Sequence, residues 1–184
     1  MAQHAVPLRR RLLACGAAIV AAPMLAVSPT ARAGTAPRRL AFENLHTGET
    51  LALVYATGDR YLAPALETVR HFLRDFRNGE THAIDPALLD QLHTLAAVTA
   101  TQAPFQVISG YRSPATNALL QREGHAVATA SLHLKGQAID IRLADVALEH
   151  LRDAALSLRA GGVGYYPSLD SNFVHIDTGR VRRW

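Results

Sequence analysis

Apolar and polar residues alternate in two short runs, and a polar segment separates them. The runs are RLAFENL, residues 39–45, and TLALVYA, residues 50–56, with HTGE between them. Alternation with a period of two is typical of a strand that buries one face. Because Gly48 in the connecting segment suits a tight turn, the pattern predicts a β-hairpin.

The pattern then changes to a helical one. In residues 61–78 and 83–100, apolar residues recur every three or four positions. They are Leu62, Leu66, Val69, Phe72, Leu73 and Phe76 in the first segment, and Leu88, Leu89, Leu92, Leu95 and Ala96 in the second. Asp85 directly before Pro86 is a favourable helix start. The sequence therefore predicts two amphipathic helices that pack against the hairpin.

Beyond residue 104 the chain returns to short strand-like runs with polar joints. These runs are FQVIS (105–109), QAIDIRL (137–143), GGVGYY (161–166) and NFVHIDTG (172–179). Helical spacing recurs between them, in NALLQRE and in residues 144–158. This order predicts an α+β fold with a small antiparallel sheet flanked by helices. The last arginines, Arg180, Arg182 and Arg183, are expected to form a solvated tail.

The N-terminal residues have the layout of an export signal. A basic cluster, Arg9–Arg11, precedes an apolar stretch over residues 12–27, and the small-residue site Ala31-Arg32-Ala33 follows. This layout predicts cleavage after Ala33. Because paired arginines followed by leucines resemble the twin-arginine signal, we expect the twin-arginine machinery to export the remaining chain.

A membrane anchor is the alternative for residues 1–33. Pro23 interrupts the apolar stretch and Pro29 follows it, so an uninterrupted span of ~20 apolar residues is missing. We therefore expect one domain, residues 34–184, located in the periplasm and without a membrane anchor after cleavage.

Removing the signal changes the charge balance of the chain. The signal contains four of the 19 basic residues and none of the 15 acidic ones, so the remaining domain is formally neutral. A neutral domain without a clustered basic face does not favour a nucleic-acid partner. Cys15, the single cysteine, also leaves with the signal. Any site in the domain must therefore consist of histidines, carboxylates and hydroxyls.

The run QAIDIRL places a carboxylate on an unusual strand face. Alternation puts Asp140 on the face opposite Ile139 and Ile141. A buried aspartate is costly unless it meets a cation or several hydrogen-bond donors. His133 lies in the loop before this strand. A salt bridge and a metal site both explain the pair at this point.

A second strand also carries a polar side chain on the face opposite its apolar residues. In NFVHIDTG, His175 lies on the face opposite Val174 and Ile176. Together with His133 and Asp140, it gives two imidazoles and one carboxylate. This is a known ligand set of catalytic zinc sites, in which water occupies the fourth position.

These residues also match a family signature. The chain contains Ser131-x-His133-x-x-Gly136-x-Ala138-x-Asp140, preceded by Ser109-Gly110-Tyr111-Arg112-Ser113 and followed by GGVGYY and Phe173-Val174-His175-Ile176-Asp177. The chain thereby resembles the M15 (LAS-type) zinc peptidases, which include D-alanyl-D-alanine carboxypeptidases and murein endopeptidases. The resemblance covers residues 105–184.

The resemblance implies an LAS-type α+β fold with Zn²⁺ held by His133, Asp140 and His175. It further implies an exported peptidase that hydrolyses peptidoglycan stem-peptide cross-links, at the D-alanyl-diaminopimelyl bond. A D-alanyl-D-alanine carboxypeptidase and a non-catalytic, zinc-containing wall-binding module are the alternatives. A secreted domain with an accidental motif is a third.

Catalytic roles beyond the metal are less defined by the pattern. The resemblance implies that Arg112 lies near the site, where its guanidinium would hold a substrate carboxylate or stabilise an oxyanion; a surface turn residue is the alternative. Ser131 is expected to hydrogen-bond a ligand rather than to act as a nucleophile. Asn172 and Phe173 stand where many relatives carry a proton acceptor. Asp177 and Asp170 are therefore the candidates for the general base, and His125, in the loop before the signature, is a third possibility.

Overall fold

One mixed eight-stranded sheet forms the centre of the described chain. The computed structural model describes residue 1, residues 36–124 and residues 127–184, and all the elements below belong to the unit of residues 32–184. The strands are β1 Pro37–Asn44, β2 Thr50–Thr57, β3 Arg60–Tyr61, β4 Phe105–Ser109, β5 Ala138–Arg142, β6 Gly162–Tyr166, β7 Phe173–Asp177 and β8 Arg182–Arg183. The predicted signal, residue 1 apart, and Cys15 lie outside the described residues, as does His125.

The strands follow the order β3-β2-β1-β4-β5-β7-β6-β8. Most neighbours are antiparallel, but β1 pairs with β4 and β6 pairs with β8 in parallel. The α+β class is thus confirmed, and the sheet is mixed rather than wholly antiparallel. Parallel neighbours require long crossovers, and the segment that contains two helices provides one between the hairpin and β4.

Four α-helices and one short 3-10 helix accompany the sheet in the described residues. They are α1 Ala63–Phe72, α2 Pro86–Thr99, α3 Pro114–Arg122, the 3-10 helix Leu132–Lys135, and α4 Leu148–Leu158. Asp85 caps α2, because its side chain accepts a hydrogen bond from the Ala87 N–H. None of the helices in the described ranges has both the length and the apolar character needed to cross a membrane.

The apolar face of the sheet packs against two helices, with α2 in contact with β1 and α4 in contact with β6 and β7. Ile139 and Ile141 of β5 and Val174 and Ile176 of β7 are at most 4 % exposed. They join the leucines of the two helices in one core. Because side chains alternate across a strand, this packing leaves the opposite face of β5 and β7 to Asp140 and His175.

Helix α1 ends earlier than the apolar spacing predicts. The backbone leaves the helical conformation at Leu73, whose carbonyl accepts a hydrogen bond from the Tyr111 N–H. Asp75, only 1 % exposed, accepts from the Ser113 N–H at 2.9 Å. Phe76 consequently leaves the helical face and stacks on His46. Tertiary hydrogen bonds to the segment before α3 therefore override the local helical pattern.

The C-terminal residues do not form the solvated tail expected from the sequence. Arg182 and Arg183 form β8 beside β6. Both Nη atoms of Arg182 donate to the fully buried carboxylate of Asp177. Arg180 and Arg183 are exposed as expected. The expectation was wrong for Arg182, because the buried Asp177 carboxylate lies within reach of its guanidinium.

Candidate metal centre

Asp140 and His175 face each other across two neighbouring strands. They are directly opposite in the antiparallel pairing of β5 with β7. Side chains at opposite positions have Cβ atoms within ~5.5 Å, so the register itself brings the carboxylate to the imidazole. Both side chains lie on the face that alternation predicts.

His133 reaches the same point from the 3-10 helix that precedes β5. The Ser131 hydroxyl accepts a hydrogen bond from the His133 N–H at 3.4 Å and caps this turn. The turn ends at Gly136, which has a φ of 62°. A Cβ at that position would lie 2.0 Å from the carbonyl oxygen of Ala83. The glycine of the signature therefore allows the tight packing that aims His133 at the two strands.

Three potential ligand atoms converge at this point. His133 Nε2 lies 3.2 Å from His175 Nδ1 and 3.3 Å from Asp140 Oδ1, and His175 Nδ1 lies 2.8 Å from the same oxygen. The three residues are 2 %, 5 % and 9 % exposed in chain order. Among the described residues, they form a group that could hold a metal ion.

The outer nitrogen of each ring has an acceptor. His133 Nδ1 lies 2.7 Å from the Gly110 carbonyl oxygen, and His175 Nε2 lies 3.1 Å from Asp177 Oδ2. Carbonyl and carboxylate oxygens can only accept, so each outer nitrogen carries a proton. In the neutral rings, the inner nitrogens then point lone pairs at one another and at Asp140. Such a set of donor atoms is suited to binding a cation. The hydrogen bonds of His133 Nδ1 and His175 Nε2 fix the orientations of the two rings for it.

Protonation and metal binding compete at this site. Burial alone would lower the pKa of His175, but hydrogen bonds with Asp140 and Asp177 raise it above the ordinary histidine value. Burial likewise opposes ionisation of Asp140, yet His133 and His175 hold its pKa below the usual range. The site thus favours one positive charge between a carboxylate and two imidazoles, and either a proton or a metal ion supplies it.

Asp177 contacts His175 at Nε2, whereas Asp140 contacts it at Nδ1. In addition to the His175 contact, its carboxylate accepts from the Gly162 N–H at 3.0 Å, the Gly179 N–H at 2.8 Å and the Arg182 guanidinium at 2.7 Å. These donors outweigh burial and lower the pKa of Asp177. The side chain is 0 % exposed and orients His175.

A cavity of about 330 Å³ opens over the three converging side chains. Its walls come from the segment before α3, the loop before the 3-10 helix, β6, and the start of β7. The lining residues are Arg112, Val127, Ala128, Ser131, His133, Asp140, Tyr166, Ser171, Phe173 and His175. Of the carboxylates in the described residues, only Asp140 is part of this lining. Asp170 is exposed in the loop between β6 and β7 and does not line the cavity.

Arg112 lies in the cavity wall with unused donor capacity. It is 7 % exposed, and its Nη2 lies 3.9 Å from Asp140 Oδ2. Nη1 reaches Asn117 at only 3.5 Å, and Nε has no hydrogen-bond partner in the described structure. Burial lowers the pKa of Arg112 against the attraction of Asp140. A buried guanidinium with free donors beside a cavity is suited to bind an anionic or carbonyl oxygen.

Two aromatic residues at the site were not assigned a role from the sequence. Tyr166 of β6 lines the cavity, and its hydroxyl accepts a hydrogen bond from Trp184 Nε1 at 2.6 Å. Alternation in GVGYY does place Tyr166 on the face of Gly164, which pairs with His175. The contribution of Trp184 has no such signal, because it depends on the parallel pairing of β8 with β6.

Comparisons with known proteins place these residues in a family context. Residues 32–184 match the model of a peptidase M15 family described as "Peptidoglycan L,D-endopeptidase MepK". Peptidoglycan L,D-endopeptidase MepK of Escherichia coli K12 is 48 % identical over 181 residues, covering 96 % of each chain. The probable peptidoglycan L,D-endopeptidase MepK of Haemophilus influenzae is 39 % identical over 173 residues, covering 94 % of this chain and 90 % of the relative.

A structural similarity was also found. The crystal structure of Serratia marcescens L-Ala D-Glu endopeptidase ChiX matches with a TM-score of 0.38 at 20 % identity. The match covers 52 % of this chain and 80 % of that chain.

Proposed function

Because this chain belongs to the peptidoglycan L,D-endopeptidase MepK family of M15 peptidases, we propose that it hydrolyses peptidoglycan cross-links at a zinc ion. The family membership makes the chain a peptidase that acts on peptidoglycan, in agreement with the resemblance seen in the sequence. The observation that carries the zinc proposal is the convergence of three lone-pair donors from His133, Asp140 and His175.

The donor set favours zinc among the common metals. Two imidazole nitrogens and one carboxylate oxygen form a three-ligand site of the kind found in zinc peptidases, with a fourth position open. A zinc ion there would supply a water with its pKa lowered toward ~7, ready to attack a carbonyl at neutral pH. Asp177 and the Gly110 carbonyl would keep the two rings in the tautomers that ligation needs.

The chain's own residues then bind and orient the peptide. Arg112 would donate from its free guanidinium nitrogens to an oxygen of the substrate beside the three ligands. Asp177 is the positioning residue for His175, since its oxygens are already occupied by donors. We therefore assign to Asp177 an orienting role rather than the proton-accepting role considered from the sequence. Asp170 remains the other candidate for that proton.

The bond cut is proposed from the names of the relatives. The sequence resemblance implied a D-alanyl-diaminopimelyl bond, which joins two D-configured centres. The relatives are named L,D-endopeptidases, a term for cleavage between an L-configured and a D-configured centre. We propose the L,D cross-link as the substrate, and the D-alanyl cross-link becomes the comparison substrate.

The location follows from the substrate and the N-terminal pattern. Peptidoglycan hydrolysis requires export, and residues 1–33 have the layout of a cleavable twin-arginine signal. The family match begins at residue 32, which supports a mature domain from residue 34. We propose a periplasmic enzyme without a membrane anchor after cleavage.

The test is a digestion of muropeptides by the exported protein, whose metal content is measured first. Purified muropeptide dimers containing either an L,D or a D-alanyl cross-link are incubated with wild type and with His133→Ala, and products are separated by mass. We expect one zinc ion per chain and cleavage of the L,D dimer, both lost in the variant. Preferred cleavage of the D-alanyl dimer would overturn the bond assignment. A protein that binds zinc and cleaves neither dimer would be a wall-binding module, and a protein without bound zinc would overturn the metal assignment.

A further inference from the structure

The hydroxyl of Tyr166, a residue of the cavity wall, acts as a hydrogen-bond acceptor for Trp184. Trp184 Nε1 lies 2.6 Å from the Tyr166 oxygen. An indole N–H can only donate, so the tyrosine oxygen accepts this bond. Its own proton is then available to a different acceptor. In the described structure, no protein acceptor receives it, and Tyr166 lines the cavity over His133, Asp140 and His175.

The backbone fixes Trp184 in place although it is the last residue. Its N–H donates to the Val163 carbonyl at 3.2 Å, and its carbonyl accepts from the Tyr165 N–H at 3.1 Å. The Arg182 guanidinium lies 4.7 Å from the centre of the indole ring and is itself paired with Asp177. The indole is therefore held from two directions, by the β6 backbone and by the Asp177 ion pair.

Gly164 makes room for this aromatic pair beside a candidate ligand. It lies opposite His175 in the sheet. A Cβ on Gly164 would lie 2.8 Å from Trp184 Cε2 and 2.9 Å from Tyr166 Cε2. The indole and His175 rings are 5.2 Å apart between centroids. Because Gly164 lacks a side chain, both aromatic rings can sit against the strand position that faces His175.

The Tyr166 ring is also held from its other side. It stacks on Phe173 of β7, with centroids 4.6 Å apart and an interplanar angle of 25°. Phe173 lines the same cavity. Ring stacking and the Trp184 hydrogen bond together restrict both the ring and its hydroxyl. A donor held in this way is preorganised, which is the property that makes hydrogen bonds effective in stabilising charge that develops during a reaction.

We infer that Tyr166 is a catalytic residue whose hydroxyl donates a hydrogen bond to the scissile carbonyl oxygen as that oxygen gains negative charge, with Trp184 as the positioning residue. This inference rests on the proposed peptidase function. Arg112 and Tyr166 would then provide donors from different walls of the cavity. Loss of the hydroxyl should weaken binding of the transition state more than binding of the substrate.

The test removes single polar atoms while keeping the rings. Tyr166→Phe keeps the stack on Phe173 and deletes only the hydroxyl, and Trp184→Phe deletes the indole donor. The matched control is Tyr165→Phe, because the Tyr165 hydroxyl belongs to the adjacent residue of β6 and bonds Glu149 instead. Each metal-loaded variant is assayed on the muropeptide dimer that the wild type cleaves.

We expect kcat of Tyr166→Phe to fall about 100-fold, the loss typical of removing one oxyanion donor. KM should stay within about two-fold, because the interaction forms mainly in the transition state. Trp184→Phe should show a smaller loss in kcat, and Tyr165→Phe should match wild type. Affinity for a phosphinate analogue, whose anionic tetrahedral group replaces the scissile peptide, should fall in parallel with kcat.

A second measurement is independent of turnover. Trp184 is the single tryptophan of the chain, so one indole N–H resonance reports on this contact. In Tyr166→Phe that resonance should move upfield as the acceptor is lost, whereas Tyr165→Phe should leave it in place.

Wild-type kcat in Tyr166→Phe, a loss confined to KM, or unchanged phosphinate affinity would each overturn the inference while leaving the peptidase function intact. An equal kcat loss in Tyr165→Phe would show that the effect comes from the strand rather than the hydroxyl. If the wild type cleaves no muropeptide, the proposed function and this inference fall together.

Discussion

The two sides of His175 both present a buried aspartate, yet the two carboxylates have different surroundings. Asp177 accepts hydrogen bonds from two backbone N–H groups and from Arg182. Within residues 36–124 and 127–184, the side-chain contacts of Asp140 are with the two imidazoles and, at 3.9 Å, with Arg112. Both residues are at most 5 % exposed, so burial does not distinguish them.

The difference lies in how many lone pairs are already used. A carboxylate saturated by donors is fixed and neutralised, and it can orient a neighbour. A buried carboxylate with few donors keeps its charge and lone pairs for a cation. On this basis we propose Asp140 as the ligand and Asp177 as the support, although both contact the same imidazole.

Asp140→Asn should give the largest effect, because it removes the charge that draws a cation to the cavity. We expect stoichiometric zinc to be lost and kcat/KM to fall at least about 1,000-fold, since a catalytic metal supplies several kcal/mol of transition-state stabilisation. Metal analysis after dialysis and muropeptide digestion measure the two effects. An Asp140→Asn protein that keeps full zinc and activity would remove Asp140 from the ligand set.

Asp177→Asn should give an intermediate effect. The substitution keeps the shape of the side chain, but it weakens the acceptor that holds the His175 Nε2 proton. Loss of such an outer contact typically costs about 10- to 100-fold in metal affinity or activity. Zinc affinity is measured by competition with a chromogenic chelator. Asp153→Asn on α4 is the control, because this exposed aspartate pairs with the neighbouring Arg152 and has no contact with the three converging side chains in the described part of the chain. A loss as large as that of Asp140→Asn would erase the distinction between ligand and support.

The strand faces of this comparison could be predicted from the sequence, whereas the saturation of Asp177 could not. Period-two alternation places Asp140 and His175 opposite the apolar residues of β5 and β7, and the structure confirms it. The Gly162 donor belongs to β6 and reaches Asp177 only after β6 and β7 pair, whereas Gly179 and Arg182 follow Asp177 by two and five residues. Alternation assigns a residue to a strand face, but it does not show which donors of β6 and of the segment after β7 converge on one carboxylate.

Contacts that are distant in sequence also explain why helix α1 ends earlier than its apolar spacing predicts. The apolar spacing of residues 61–78 continues to Phe76, but helix α1 stops at Phe72. The deciding contacts are the Tyr111 N–H to the Leu73 carbonyl and the Ser113 N–H to Asp75. These contacts join residues about 38 positions apart, so helix propensity and spacing carry no information about them.

Asp75 provides a third buried carboxylate, on the Arg112 side of the cavity, and it resembles Asp177. Hydrogen bonds from Thr116 and Ser113 lower its pKa although burial opposes this. We expect Asp75→Asn to keep its zinc and to lose about 2 kcal/mol of unfolding free energy at pH 7, as for hydrogen bonds to a charged group. Activity should fall only a few-fold through the displaced Arg112 segment.

The pH dependence checks the sign of this effect. Because the folded-state pKa of Asp75 is lowered, its stabilisation is present above the unfolded value of ~3.9 and is lost as pH falls through the folded value. Denaturant unfolding of wild type and Asp75→Asn should therefore differ most near neutral pH and converge toward pH ~3. A constant difference across this range would show that the carboxylate charge is not the source of the stability.

Asp170→Asn should give the smallest effect. It tests whether an aspartate outside the cavity lining has any role in the reaction. Asp170 is exposed in the loop between β6 and β7, outside the cavity lining, so neither ligation nor orientation of His175 involves it. Its only candidate role is to accept a proton, which would require the loop to bring the carboxylate over the ligands. We expect wild-type zinc content, wild-type unfolding free energy and a kcat within about two-fold of wild type, as for a substitution at an exposed site. A loss of cleavage with zinc retained would instead identify Asp170 as the general base, because a proton acceptor can be removed without disturbing the metal. The site would then use three aspartates in three ways, with Asp140 as ligand, Asp177 as support and Asp170 as base.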